Sequence, residues 1–72
     1  MDMQPVWSSS LAAVGYDRAH GWLDIRFKHG VVYRYLGVPE AVYDALMAAR
    51  SKGSFFRREI QDQYLFVNQG DL

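Results

Sequence analysis

Four cations crowd one short stretch of this 72-residue chain. Arg50, Lys52, Arg57 and Arg58 lie within nine residues that hold no acid. Ser51 and Gly53 sit among them, at an expected junction between two helices. If Ser54 begins the second helix, the free backbone N–H groups of its first turn add to the cations. Together they would form an anion or phosphate site. Phe55 would offer a stacking surface beside it. A plainer reading stands next to this one. Cations at the end of the preceding helix stabilise its negative pole. One of Arg57 and Arg58 would then pair with Glu59 or Asp62 along the second helix. Phe56 and Ile60 read as core rather than as ligand contacts.

No other group of residues points to chemistry. His20 and His29 fall in expected turns, each before a glycine, where a histidine is ordinarily solvated. Asp17 and Asp24 flank the first of these turns and read as turn formers. Ser8, Ser9 and Ser10 lack the strand–turn–helix context of a nucleophilic serine. Phosphate-loop, dinucleotide and calcium-loop motifs are all missing. The chain has no cysteine, hence no thiolate nucleophile, disulfide or Cys-based zinc site. The expectation is a non-enzymatic protein with no catalytic residue, no metal and no cofactor.

Charge narrows the partners. Eight Lys plus Arg balance eight Asp plus Glu, which argues against a protein that coats phosphate over its whole surface. The neutrality hides the local patch, because the rest of the chain carries four positive against eight negative charges. No apolar run approaches the ~20 residues needed to cross a bilayer. No basic segment followed by an apolar stretch opens the chain. A cytoplasmic protein without a membrane partner is therefore expected.

The elements that must position the patch are legible in outline. Half the residues are hydrophobic and 15% are aromatic, which argues against disorder. A chain of 8.3 kDa allows one small domain that buries roughly 60% of its unfolded surface. Residues 1–10 read as a flexible leader, broken by Pro5 and the three serines. Residues 11–67 are the domain, and residues 68–72 a frayed tail. Leu11–Tyr16 is a first strand, weakened by Ala12, Ala13 and Gly15. Trp22–Phe27 alternates, and Val31–Leu36 is β-branched and aromatic. Pro39 and Glu40 open a helix whose apolar stripe is Val42, Ala45, Leu46 and Ala49. Ser51-Lys52-Gly53 stops it, with Gly53 in the left-handed C-terminal position. A short second helix and a last strand over Tyr64–Val67 complete an α+β fold. In it a small antiparallel meander of about three strands, with a possible fourth, packs against two helices.

Two hairpin registers are open around His29-Gly30. A two-residue turn pairs Arg26 with Tyr33. It gathers Trp22, Arg26, Lys28, Tyr33 and Tyr35 into a base-stacking platform, but places Arg34 on the core side. A three-residue loop, Lys28-His29-Gly30, pairs Ile25 with Tyr33 and Leu23 with Tyr35. It makes the core face wholly apolar and sets Asp24 across from Arg34 on the outer face. The second register satisfies burial better. It leaves Trp22, Val32 and Leu36 on the outer face as a candidate interface, to be covered by Tyr64–Val67 or by another subunit.

Residues Ser9 to Tyr64 resemble the KTSC domain. The likeness rests on Val14-Gly15-Tyr16-Asp17, Val32-Tyr33-Arg34-Tyr35, Val38-Pro39, Ser51-Lys52-Gly53 with Phe56 and Ile60, and finally Asp62 and Tyr64. That module is similar to the C-terminal segment of certain lysyl-tRNA synthetases and also occurs alone as small bacterial and phage proteins. The resemblance implies RNA binding, by analogy with the synthetase, and the cation cluster adds a small nucleotide-like anion as the other expected ligand. Arg57 stands where the family often carries Asn. From the residues themselves, the anion site is Arg50, Ser51, Lys52, Gly53, Arg57 and Arg58. Tyr33, Tyr35 and Phe55 are candidates for stacking. A homo-oligomer through the outer face is the alternative.

Overall fold

The computed structural model describes residues 2–71. Met1 and Leu72, the ends of the expected leader and tail, lie outside the described residues. Five strands form one antiparallel meander in the order β1-β2-β3-β4-β5. They are β1 (Gln4–Pro5), β2 (Leu11–Asp17), β3 (Trp22–Phe27), β4 (Val31–Tyr35) and β5 (Phe66–Asp71). Between β4 and β5 come helices α1 (Glu40–Ala48) and α2 (Lys52–Glu59). The α+β class is as expected; the fourth strand anticipated near the C-terminus is present as β5, and β1 is the strand not anticipated.

The β3–β4 hairpin adopts the three-residue loop. Leu23 pairs with Tyr35, Asp24 with Arg34, and Ile25 with Tyr33. Gly30 takes φ of 105°, which a side chain disfavours, and donates its N–H to the Phe27 carbonyl at 2.9 Å. Burial decides this register, since the alternative would turn Arg34 into the core.

The core is one cluster: Leu11, Val14, Leu23, Ile25, Tyr35, Val38, Leu46, Phe56 and Ile60. Leu11 and Val14 are three residues apart, yet both are fully buried. A regular strand would point them to opposite faces. A bulge between Leu11 and Ala13 supplies the extra residue, so both reach the core. The small residues that weakened the strand signal have a place on the outer face. Ala13 lies opposite Arg26, and Gly15 opposite Asp24. On α1 the inward stripe is Val42, Tyr43, Leu46 and Met47, while Ala45 is exposed. The larger side chains win the core because they bury more apolar area.

Three boundaries differ from the sequence reading. The leader is tied down, since Gln4 pairs with Val14, Pro5 with Ala13, and the Val6 N–H donates to Ala12. Proline is tolerated there because β1 is an edge strand. The tail is a strand as well, and β5 continues through Asn68 to Asp71. The open edge of β4 offers unpaired backbone groups, and polar side chains can fill a strand that needs no buried face. Lastly, α2 starts at Lys52 with Ser51 as its cap. Gly53 is therefore inside the first turn, outside the positive-φ region, and not a left-handed terminator of α1.

Candidate functional site

The junction of α1 and α2 is held by short polar contacts. Ser51 is extended, and its Oγ accepts from the Ser54 N–H at 3.3 Å. The Phe55 N–H donates to the Ser51 carbonyl at 3.0 Å. Earlier amides of the first turn have no partner within the helix.

Gly53 shows what packs on that turn. A Cβ at this buried position would lie 2.9 Å from Ser10 Oγ, 3.5 Å from Arg57 Nη1 and 3.7 Å from Ser8 Oγ. The serine segment before β2 thus rests directly on the start of α2, and the Arg57 guanidinium folds back to the same point. Ser8 fixes the segment by accepting from the N–H groups of Ser10 and Leu11 at 3.2 and 3.1 Å. The sequence reading assigned these serines to a leader and missed them. The one available signal was a glycine inside the expected cation cluster, which a close backbone approach also explains.

The four cations do not act alike. Lys52 Nζ donates to the Ala49 carbonyl at 3.0 Å and so closes the end of α1. Arg58 Nε donates to the Glu59 carboxylate at 2.9 Å, and its guanidinium carbon lies 5.6 Å from the centre of the Phe55 ring. Arg50 and Arg57 are exposed and form no ion pair among the described residues. Of the six expected site residues, Gly53 and Arg57 converge with Ser8 and Ser10. Ser51 and Lys52 hold the helix ends, Arg58 is paired, and Arg50 stands free at the junction.

The stacking platform is not formed. Tyr35 is 2% exposed and meets Phe56 and Phe66 at 5.5 and 5.4 Å between ring centroids. Its burial pushes the phenol pKa up to about 12. Tyr33 is half-buried against Phe27 and Phe66. Phe55, also half-buried, is engaged with Arg58. The fully exposed aromatic is instead Trp7, 95% accessible and next to Ser8.

The outer face also differs from an apolar interface. Val32 is wholly buried and Leu36 half-buried. Trp22 is sandwiched by its own chain, with the Arg34 guanidinium carbon 4.3 Å and the His20 ring 4.1 Å from its ring centre. Arg34 donates two hydrogen bonds to Asp24, at 2.9 and 3.1 Å, and these hold the guanidinium pKa above its usual value. His20 Nδ1 lies 2.9 Å from an Asp17 oxygen, a contact that lowers the Asp17 pKa. The other Asp17 oxygen accepts from the Ala19 and His20 N–H groups. Asp17 is thus a turn former as expected; Asp24 is not one, and instead pairs with Arg34 as the three-residue loop requires. Arg26 Nε, on the same face, is buried without a hydrogen-bond partner among the described residues. Strand β5 joins the edge of β4 and does not cover this face.

The sequence matches the KTSC domain family over residues 7–64. The chain belongs to the KTSC domain family. The match begins at Trp7 and so takes in the serine segment. A protein of Tsukamurella paurometabola is 44% identical over 65 residues, covering 90% of this chain and 97% of that one. An uncharacterized protein of Stutzerimonas stutzeri is 40% identical over 57 residues, covering 79% and 80%. The crystal structure of a KTSC domain protein from Yersinia pestis superposes with a TM-score of 0.93 at 40% identity. It covers 96% of this chain and 97% of that one. No helix among the described residues is long and apolar enough to cross a membrane. Nor do these residues contain a group of three or more His, Cys, Asp or Glu placed to hold a metal ion.

Proposed function

We propose that this KTSC domain is a non-enzymatic, cytoplasmic binding module for a phosphate-bearing ligand, either RNA or a smaller nucleotide. The observation that carries the reading is the approach of Ser10 Oγ to Gly53. It brings a hydroxyl and the Arg57 guanidinium to one place beside the first turn of α2. Amides at a helix start favour an anion through unpaired N–H groups and the helix dipole. Arg57 adds charge and a planar donor set suited to phosphate, and Arg50 widens the positive field. Trp7, exposed and adjacent in sequence to Ser8, would offer a base a stacking surface. Of the four cations in the patch only Arg50 and Arg57 are uncommitted among the described residues, so affinity for long RNA is modest. Its salt dependence follows a slope of roughly −0.7 for each neutralised phosphate of a single strand.

Titration of labelled single-stranded RNA and of mononucleotides at low salt tests this. Arg57→Ala weakens binding most and Arg50→Ala less. Arg58→Ala has little effect, because Arg58 already pairs with Glu59. Absence of binding to either probe, or binding indifferent to Arg57→Ala, sinks the reading. Tighter binding of a mononucleotide than of an oligomer assigns the site to a small ligand.

A further inference from the structure

The sheet has two edges, and they are built differently. Strand β1 spans two residues, one of them Pro5. A short edge containing proline resists pairing with another chain. Strand β5 is six residues long, and the segment Leu65–Gly70 holds neither charge nor proline. Three of the large apolar side chains most exposed to solvent lie together on it: Leu65 at 80%, Phe66 at 51% and Val67 at 47%.

The ladder to β4 fixes which backbone groups are free. The Leu36 N–H donates to the Leu65 carbonyl at 2.9 Å, and Arg34 lies opposite Val67 and Tyr35 opposite Phe66. Hydrogen-bonded and non-bonded pairs alternate along an antiparallel ladder. Leu65 and Val67 therefore turn their N–H and C=O groups toward β4. Phe66 turns its own toward the open edge. Beyond Asn68 a bulge intervenes, since Tyr33 opposes Asn68 but Val32 opposes Gly70. The Gly70 N–H there donates to Asn68 Oδ1 at 2.7 Å. The bulge bends the strand and confines regular pairing to residues 65–68.

We propose that the free edge of β5 pairs with the same edge of a second copy of this chain, antiparallel and about a two-fold axis at Phe66. Phe66 then exchanges both backbone hydrogen bonds with the partner's Phe66. Leu65 faces the partner's Val67 on one side of the joined sheet, and the two Phe66 rings meet on the other. Every exposed apolar side chain of the segment meets an apolar one. No charge opposes the approach, and the contact is closed by its own symmetry. That self-complementarity favours a second copy over a foreign strand. The inference is independent of the anion site, which lies on residues outside this edge.

Sedimentation of the full chain from about 1 to about 200 µM, the range suited to a small interface, tests it. The expected mass rises from 8.3 kDa toward twice that value. Two double variants test the register. Leu65→Lys with Val67→Lys sets like charges opposite each other and weakens association roughly tenfold or more. Leu65→Glu with Val67→Lys sets opposite charges together and keeps the dimer. Circular dichroism melts confirm that both variants fold, since these residues are exposed in the monomer. A wild-type monomer over the whole range overturns the proposal and leaves the edge to a strand of another protein. Equal behaviour of the two double variants overturns it too.

Discussion

Strands β3 and β4 present two faces that are stabilised by different physics. Toward the helices, Leu23, Ile25 and Tyr35 are buried, and Phe27, Tyr33, Tyr35, Phe56 and Phe66 meet ring to ring. That face gains from apolar area removed from water, with edge-on aromatic contacts adding to it. The opposite face has no helix over it. There Asp24, Arg34, Trp22 and His20 form a stack of charge, guanidinium and rings. Each member covers the next, so a tryptophan that looked like surplus apolar surface is closed off by its own neighbours. An outer sheet face can thus be finished without a partner when a bidentate ion pair and a cation–π contact share one arginine.

The contrast is sharpest at Tyr35. Tyr35→Ala removes a buried ring between Phe56 and Phe66 and costs about 3–5 kcal/mol. A domain this small has little more than that in total, so a thermal melt of the variant shows a largely unfolded chain. A cooperative melt near that of the wild type would place the ring outside the core and break the comparison.

A smaller loss is expected across the sheet. Asp24→Ala leaves Arg34 unpaired over a half-buried surface and costs about 1–3 kcal/mol. The loss is read from a urea midpoint. If Asp24→Ala costs as much as Tyr35→Ala, the two faces do not differ in kind. If it costs nothing, the ion pair only decorates the face.

The smallest effect is on the alkaline side. Tyr35 has a pKa of about 12 in the fold against 10.0 for the free side chain, and burial is the main cause. The neutral phenol is favoured by folding, so its contribution is whole below pH 10 and is lost as pH rises toward 12. Tyrosinate absorbance should show Tyr35 still neutral well above pH 10, with its contribution to stability whole below pH 10 and declining above it. A Tyr35 that ionises near the free side chain's 10.0 would argue that its hydroxyl is not held from water.

The candidate site was legible only in part. Charge clustering marks Arg50–Arg58 because local composition needs no fold to be counted. Which cations are already committed depends on contacts that spacing leaves open. Lys52 reaches a helix end and Arg58 its neighbour Glu59. Arg57 instead folds back to Gly53. The serines at 8 and 10 escaped notice because a Ser-rich stretch after proline has the composition of a loop. Their role comes from lying on a helix more than forty residues away.

By itself the sequence determined the class of fold and the family, and it favoured the hairpin register that the structure shows. Period-two alternation from Trp22 to Tyr35 admits one arrangement with Arg34 outside the core, and an unpaired buried charge is too costly for the other. Tertiary structure alone decided the ends and the site. Strands β1 and β5 exist because β2 and β4 offer open edges, and an edge strand owes its hydrogen bonds to its neighbour rather than to its own side chains. Gly53 likewise reads as a helix stop from the chain. It becomes the floor of a serine–arginine cluster only when the serine segment before β2 is laid on the start of α2, because the distance between Ser10 and Gly53 is set by the packing of the whole domain and by no local rule.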